Sequence, residues 1–401
     1  MMPQRSMDGP MNGFYAIRRL PPYVFAQVKA LVADAHAEGR DVIDLSMGSP
    51  DLPAPAIVRD ALKEAVDARA ASRYSESIGV HELRAAQARY YERRFGVALD
   101  PDTEVVHTLG SKNAFANLAF AITSPGDVVL VPNPSYPIHT FGFVMAGGVV
   151  RPIPSRADEE VFRAADRALK YCVPRPIAMV LNYPGNPTAE CAGLDFYREA
   201  VAYAKKNDLY LLSDLAYAEI YYGDPPPSIL EVEGAKDVAI EFTSASKSFS
   251  MAGWRVGFAV GNERLIAALT RVKAYLDYGS FDPIQRAAAV ALDNAETITP
   301  AIRQAYARRL DVLLSAFAEA GWHLPRPEAS MFAWAELPVG QGGDSLAFCK
   351  RMVREAGVAL SPGTGFGEGG EGHVRIALVE DEDTLREAAR RIGGALADRA
   401  A

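Results

Sequence analysis

The chain has 401 residues, of which 49% are hydrophobic and 23% are charged, so it can bury a sizeable core and is expected to fold. At roughly 150 residues per domain, this length allows two or three domains. The 42 Lys and Arg residues and the 50 Asp and Glu residues give a net charge of −8, which argues against a nucleic-acid-binding protein.

Membrane insertion, a disulfide framework and a metal site are not expected either. The longest apolar run, Phe141–Val150, is about half of the roughly 20 residues that span a bilayer. The chain has three cysteines, an odd number without CxxC spacing, which argues against a disulfide framework and a thiolate metal site. The six histidines lack HxxxH and HExxH spacing, which argues against a zinc enzyme. Residues 1–13 lack the apolar region of a signal peptide, so we expect a flexible N-terminus on a cytoplasmic protein.

The first predicted elements are a helix around Tyr23 to Glu38 and a strand at VIDLSMG. Further strands are predicted at TEVVHTL, DVVLVP, IAMVLNYP, LYLLSDL, VAIEFTS and RVGFAVG. Most of these are unbroken apolar runs, which is typical of strands buried on both faces of a sheet. Amphipathic stretches such as Leu194 to Asp208 are long enough for crossover helices. The pattern therefore predicts an α/β fold with a mostly parallel sheet.

After Pro283 the predicted elements change in character. A long helical stretch (about Ile284 to Gly321) precedes FAWAEL, a helix near Leu346 to Ala356, GVALSPG, HVRIALV and a last helix through Leu385 to Leu396. This mixture predicts a smaller α+β domain. We expect a flexible segment at 1–13, a segment at 14–45 that packs with the small domain, a large domain at 46–295 and a small domain at 296–401.

Polar residues follow the predicted parallel strands at the edge of the sheet where ligands bind. Asn186 follows IAMVLNYP, and Asp214 ends LYLLSD with Tyr217 three residues later. Lys247 follows VAIEFTS. Taken singly, the aspartate could equally be a helix cap, and the lysine could equally be a solvated loop residue. Together they suit an aldehyde cofactor, because a lysine forms a Schiff base with it and a carboxylate keeps a pyridine nitrogen protonated.

A phosphate site is predicted at Gly110-Ser111-Lys112, between a strand and a helix. The free backbone amides and the dipole of a helix N-terminus favour an anion there. Arg255 would add a bidentate contact, and Ser244 and Ser246 would add hydroxyl groups. The alternative is that Ser111 only caps the helix and Arg255 is a surface charge.

The stretch SASKSFSMAGWRVG (Ser244–Gly257) closely resembles the lysine signature of the class I/II aminotransferases. Companion motifs are NYPGNPT, SDLAYAE, VPNPSYP and HVRIAL, and the resemblance extends from about Phe14 onward. RLPPYVF, DLSMGSPD, GSKNAFA and NPSYPIH are most similar to the glutamate–pyruvate (alanine) aminotransferases and their LL-diaminopimelate aminotransferase relatives. The resemblance implies fold type I, with a large mostly parallel domain and a smaller α+β domain, and pyridoxal 5′-phosphate as the cofactor.

The resemblance also implies a role for each matching residue. Lys247 is the Schiff-base lysine and proton shuttle, and Asp214 pairs with the pyridinium nitrogen. Asn186 and Tyr217 hold the ring oxygen, and Tyr136 stacks on the ring. The implied phosphate contacts are Ser111, Lys112 through its backbone amide, Ser244, Ser246 and Arg255.

Substrate and subunit contacts are implied as well. Arg375 clamps the α-carboxylate of the substrate in a bidentate fork, beside Asn186. Gly48 allows the backbone to approach the substrate closely. Tyr74 reaches the phosphate from the neighbouring subunit, which requires a homodimer.

The sequence departs from the family pattern at two points. Ala189 follows Thr188 where relatives often have glycine, and no second arginine for a distal carboxylate is evident. Asp282, in YLDYGSFDPIQ, would repel such a carboxylate if it faced the site. It would instead cap the helix that begins near Pro283 if it faced away.

The leading hypothesis is a ping-pong aminotransferase that passes the amino group of L-alanine to 2-oxoglutarate, giving pyruvate and L-glutamate. An LL-diaminopimelate or other amino-acid aminotransferase and a C–S β-lyase remain alternatives. A non-catalytic cofactor-binding sensor is a third, against which the apparently full set of catalytic groups and the lack of a basic DNA-binding segment argue. The expected partners are small amino and oxo acids and a second copy of the chain.

Overall fold

The computed structural model describes residues 14–68 and 71–397. In this part of the chain the helices are α1 Tyr15–Arg18, α2 Val24–Ala37, α3 Ala56–Val66, α4 His81–Phe95, α5 Ser111–Ile122, α6 Pro137–Met145, α7 Glu159–Tyr171, α8 Leu194–Asn207, α9 Ala245–Ser248, α10 Glu263–Leu276, α11 Asp282–Asp293, α12 Ala295–Glu319, α13 Ser345–Arg351 and α14 Glu382–Ala397. The strands are β1 Ile43–Asp44, β2 Val105–Thr108, β3 Val128–Asn133, β4 Val149–Pro154, β5 Pro176–Asn182, β6 Tyr210–Asp214, β7 Ala239–Ser244, β8 Gly257–Gly261, β9 Phe332–Glu336, β10 Val358–Ala359, β11 Ser361–Pro362 and β12 His373–Ala377.

The central feature is a seven-stranded sheet with the order β2-β8-β7-β6-β5-β3-β4. Only β8 runs antiparallel to its neighbours in this sheet, and the other pairs are parallel. Six of these strands, all but β4, lie where the apolar runs predicted them. The mostly parallel α/β sheet predicted from the sequence is therefore confirmed.

Both faces of the large sheet are covered, as the apolar strands require. Alternate residues of one strand enter different apolar clusters, as Leu130 packs on one face and Val129 and Val131 on the other. The apolar cluster that contains Val129 and Val131 also includes buried residues of α5, α6 and α10. The cluster that contains Leu130 includes buried residues of α4, α8 and α11. This packing fixes the strand ends, and with them the residues that follow each strand.

A smaller sheet lies towards the C-terminus. It has the order β11-β12-β9 and is antiparallel, and β1 pairs with β10 in parallel beside it. Helix α2 packs against α13 and β11, and α12 packs against α14. The boundaries at 45 and 295 stay predictions, as does the segment at 1–13, which lies outside the described residues.

Three predicted C-terminal elements differ in detail from those of the structure. The long helix from about Ile284 is broken at Asn294, whose side chain donates a hydrogen bond to the Val290 carbonyl and so competes with the helical backbone. The helix near Leu346 turns into a wider π-type turn at Met352–Ala356, and GVALSPG forms two short strands rather than one. Among the described helices, none is long and apolar enough to cross a membrane.

Candidate active site

A cavity opens beyond the carboxyl ends of β5, β6 and β7, between the large sheet and the small one. Its walls come from the loops after these strands, from the start of α5, from β9 and β12, and from the segment before α2. The lining residues are Tyr23, Phe25, Met47, Gly48, Gly110, Ser111, Lys112, Tyr136, Asn182, Asn186, Asp214, Ala216, Tyr217, Ser244, Ser246, Lys247, Ala252, Arg255, Phe332, Phe366 and Arg375.

Asp214 is the last residue of β6 and is buried at the floor of the cavity. Its Oδ2 lies 2.9 Å from Nε2 of the buried His139, and its Oδ1 accepts a hydrogen bond from the Ala216 amide at 3.2 Å. Asn182 at the end of β5 donates to the Asp214 carbonyl at 3.1 Å. These bonds hold the carboxylate in a fixed orientation while one edge of it still faces the cavity.

Lys247 lies in α9, directly after β7, and its amino group points across the cavity. The Nζ donates a hydrogen bond to the carbonyl oxygen of Gly48. Burial, together with the smaller effect of the positive charges of Arg375 and Arg255, lowers the pKa of Lys247 to about 7. A lysine in this state is neutral at mildly alkaline pH and can act as a nucleophile or a base.

An anion-binding cradle lies at the start of α5. Gly110 precedes the helix with φ of 92°, a conformation that favours glycine, and a Cβ there would overlap the Arg255 guanidinium. The start of α5, where backbone amides lack helical partners, therefore lies directly beside a cation. Arg255 donates hydrogen bonds to the carbonyls of Ala252 at 2.8 Å and Leu109 at 3.0 Å. Ser244 and Ser246 line the same side of the cavity.

Arg375 on β12 is a buried cation on the opposite wall. It donates hydrogen bonds to Asn186 Oδ1 at 2.8 Å, to the Ser46 carbonyl at 2.9 Å and to Ser361 Oγ at 3.2 Å. Its Nε is buried without a hydrogen-bond partner, and no carboxylate in the described part of the chain forms an ion pair with it. Burial lowers its pKa to about 10, and the ring of Phe332 lies 4.1 Å from its Cζ. A buried arginine without a counter-charge is suited to bind an anionic ligand.

Two phenol side chains complete the polar walls. Tyr136 precedes α6, and burial raises its pKa to about 12. Tyr217 is buried next to Phe332, with ring centroids 5.6 Å apart, and burial raises its pKa as well. Both therefore stay protonated and remain hydrogen-bond donors at neutral pH.

The structure brings together all the site residues predicted from the sequence except Tyr74. Lys247, Asp214, Tyr217, Asn186 and the others line one cavity, and their roles stay predictions. Tyr74 is 88% exposed, away from this cavity, and its ring lies 4.9 Å from that of Tyr278. Asp282 is the first residue of α11 and pairs with Arg286 at 2.7 Å, without a capping hydrogen bond.

Several residues that line or support the cavity were not predicted. His139 follows Tyr136 by three residues, a helical spacing that could have indicated a shared orientation. Tyr23, Phe25 and Met47 form an apolar rim from the N-terminal segment, and Phe25 packs edge-on against Phe366 at 5.0 Å. No local signal marks these residues, because they reach the cavity only through the packing of the segment on both sheets.

Comparisons with known proteins identify the family of this chain. The family model described as "Aminotransferase class I and II" matches residues 40–392. The putative aminotransferase AatC of Rhizobium meliloti is 58% identical over 95% of each chain. The glutamate-pyruvate aminotransferase AlaC of Escherichia coli is 46% identical over 96% of this chain and 93% of its own. The LL-diaminopimelate aminotransferase of Natranaerobius thermophilus is 40% identical over 95% of this chain and 99% of its own.

The fold agrees as well. The substrate-bound structure of BacF from Bacillus subtilis superposes with a TM-score of 0.87 at 34% identity, over 96% of this chain and 97% of that one. The sequence match spans most of both domains, and the matched fold is that of the fold type I transferases. The chain therefore belongs to the class I and II aminotransferases, a pyridoxal-phosphate-dependent family of transaminases.

Proposed function

We propose that the protein is an alanine aminotransferase that holds pyridoxal 5′-phosphate in the cavity described above. L-alanine gives up its amino group in the first half-reaction and leaves as pyruvate. 2-Oxoglutarate takes up the amino group in the second half-reaction and leaves as L-glutamate. The observation that carries this proposal is Arg375, a buried guanidinium without a counter-charge that shares one cavity with Lys247.

The residues of the cavity fit the cofactor. The amides at the start of α5, Ser244, Ser246 and Arg255 would hold its phosphate dianion. The free edge of Asp214 would accept a hydrogen bond from the pyridinium nitrogen, and Asn186 and Tyr217 would donate to the ring oxygen. Tyr136 would stack on the ring. A Cβ on Gly110 would fill the space beside Arg255. Because glycine has no side chain, this space stays open for a phosphate group.

The bound cofactor would supply an electron sink for the carbanion that forms when the substrate Cα loses its proton. The protein groups position the substrate and move the proton. Lys247 Nζ would accept the proton from Cα, for which a pKa near neutrality is well matched. Asp214, held by His139 and the Ala216 amide, would keep the pyridine nitrogen protonated.

The α-carboxylate of the substrate would bind Arg375. This contact would supply the missing counter-charge and a partner for the buried Nε. Asn186 already holds the guanidinium at 2.8 Å, so the fork is oriented before the substrate arrives. The rim of Tyr23, Phe25 and Met47 would face the substrate side chain, and this apolar surface favours a methyl group over a charged one.

The acceptor 2-oxoglutarate has a second carboxylate, which needs a cation of its own. Lys112 lines the cavity, and it is the lining cation for which the described residues offer no hydrogen bond or ion pair. Its Nζ lies 5.9 Å from the centre of the Tyr136 ring. We assign the distal carboxylate to Lys112, which removes the need for a second arginine. Asp282 pairs with Arg286 and is not among the residues that line the cavity, so it would not repel this carboxylate.

The active form would be a homodimer. Tyr74 is 88% exposed beside Tyr278, which is 64% exposed, and Tyr275, Leu276 and Phe281 extend the apolar surface. Exposed apolar side chains concentrated in this way are typical of a protein interface. In the dimer Tyr74 would reach the phosphate of the neighbouring site.

The test is a half-reaction without an oxo acid. The loaded protein is mixed with L-alanine, L-glutamate, L-aspartate or LL-diaminopimelate, and conversion of the cofactor to its pyridoxamine form is followed by absorbance. Fast conversion with alanine and glutamate is expected. Conversion chiefly with diaminopimelate would instead identify an LL-diaminopimelate aminotransferase. Steady release of ammonia would indicate a C–S β-lyase. No change in absorbance with any of these amino acids would favour a non-catalytic sensor. Lys247→Ala should remove the response in every case.

A further inference from the structure

His107 is a buried histidine that the proposed chemistry does not use. It lies on β2 and is fully enclosed. Its Nδ1 lies 3.2 Å from the Gly257 carbonyl, and its Nε2 lies 2.8 Å from Ser280 Oγ. Its backbone amide donates to the Ile78 carbonyl at 2.9 Å. Three segments that are distant in sequence therefore meet at one residue, two of them at its side chain and one at its backbone.

The partners of His107 define its protonation state. A carbonyl oxygen can only accept, so Nδ1 carries the proton and donates to Gly257. Nε2 is then an acceptor, and the Ser280 hydroxyl donates to it. Burial lowers the pKa of His107 to about 3, with a further contribution from the charge of Lys273, so the ring stays neutral. The link is thus a single, fixed tautomer.

One end of this link touches the phosphate cradle. Gly257 packs directly on the start of α5, since a Cβ on it would lie 2.7 Å from the Gly110 backbone and 2.8 Å from the Ser111 amide nitrogen. Gly257 also follows Arg255 by two residues. A shift of the Gly257 backbone would therefore move the groups that bind the anion.

The other end holds two surface loops together. Gln285 donates to Ser75 Oγ and to the Ser280 carbonyl, each at 2.7 Å, and accepts from the Val80 amide at 2.8 Å. Ser77 donates a further hydrogen bond to the Asp277 carbonyl. These contacts join the loop at 73–80 to the loop at 277–281, whose exposed tips carry Tyr74 and Tyr278.

The loop at 73–80 fits against His107 because of a glycine. Gly79 has φ of 91°, and a Cβ on it would overlap the Cβ of His107. The close approach lets the Ile78 carbonyl reach the His107 amide. Both the conformation and the space at this position exclude a larger residue.

We propose that His107 is a positioning residue that couples cofactor binding in one subunit to the surface that the neighbouring subunit contacts. Phosphate in the cradle fixes Gly257, His107 transmits this order to Ser280, and the loops with Tyr74 and Tyr278 are held in the shape that the dimer needs. Cofactor therefore tightens the dimer, and the dimer tightens cofactor binding by the same factor. This inference rests on the dimer of the proposed function.

The experiment measures the dimer dissociation constant by sedimentation and by subunit exchange, with and without pyridoxal 5′-phosphate. In the wild-type chain the cofactor should tighten the dimer by about fivefold or more, the low end of measured couplings. His107→Asn keeps a donor for Gly257 but loses the acceptor for Ser280. In this variant the ratio of the dimer dissociation constants without and with the cofactor should fall towards one. His107→Gln places Oε1 near the position of Nε2 and so keeps an acceptor for Ser280, but it loses the donor for Gly257, so the ratio should fall in this variant too.

Ser280→Ala tests the same link from the other end and covers the case in which the histidine variants do not fold. Thr270→Ala is the matched control, because it removes a buried hydroxyl of α10 that has no hydrogen-bond partner among the described residues. A residue with a merely structural role would change the dimer dissociation constant by the same factor with and without the cofactor. The ratio of the two constants would then stay as it is in the wild-type chain. An intact ratio in H107N and S280A would overturn this inference alone, whereas a wild-type monomer that performs the half-reaction would also remove the proposed dimer.

Discussion

Replacing Lys247 by methionine should stabilise the cofactor-free protein. The wild-type amino group is held at a pKa of about 7, against 10.5 for a free lysine, mainly because it is buried. The folded state therefore binds a proton less readily than the unfolded state. The resulting loss of stability is full below about pH 7, decreases between about pH 7 and 10.5, and is absent above that range.

The magnitude follows from the same shift. At about 1.4 kcal/mol per pKa unit, the loss near pH 7 is at most about 4 kcal/mol. Lys247 is partly accessible from the cavity, so solvent reduces this value. The variant also loses the hydrogen bond to the Gly48 carbonyl, worth about 1 kcal/mol. We expect a net gain of roughly 1–3 kcal/mol in the free energy of unfolding.

The assay is urea unfolding of the cofactor-free wild-type and Lys247→Met proteins near neutral pH and again near the pKa of free lysine. The matched control is Lys273→Met, a second buried lysine, which is 0% exposed but paired with Asp277 at 2.9 Å. Its removal leaves a carboxylate without a counter-charge and should destabilise the protein by roughly 3 kcal/mol. The reasoning would be refuted if Lys247→Met were not more stable, or if its advantage did not change with pH.

Three further substitutions test the site. Arg375→Leu should lower kcat/KM for L-alanine by about 100-fold or more, because a charge-assisted fork is lost; an unchanged kcat/KM in steady-state kinetics would speak against it. Lys112→Met should raise KM for 2-oxoglutarate by about tenfold and leave KM for L-alanine near the wild-type value, and an equal effect on both would contradict the assignment. His139→Phe should lower kcat by about tenfold, because Asp214 loses a hydrogen-bond donor, and unchanged kcat would show that Asp214 is held without it.

The sequence was most informative about reactive side chains that lie at or just after the end of a buried strand. Asp214 ends one apolar run and Lys247 follows another, and the parallel topology of interior strands puts their side chains at one edge of the sheet. The lysine signature added the identity of the cofactor. These inferences depend on local patterns, which a single sequence displays directly.

Residues that act through distant packing could not be predicted in the same way. Phe25 reaches the cavity because it packs against Phe366, more than 300 residues later in the chain. His107 looks like any residue of a buried strand, and only the structure shows that its ring faces Ser280. The break at Asn294 was missed because the helical period of the alanine-rich stretch continues through it, while the side chain competes for the backbone.

The central claim is that Lys247 is the residue that holds the cofactor and transfers the proton. It is tested most directly by reducing the loaded protein with borohydride, digesting it and locating the covalently attached phosphopyridoxyl group by mass spectrometry. We predict that the group is found on the peptide that carries Lys247, and that prior incubation with L-alanine in the absence of an oxo acid removes it. Attachment to a different lysine, or transamination without any attached group, would contradict the account.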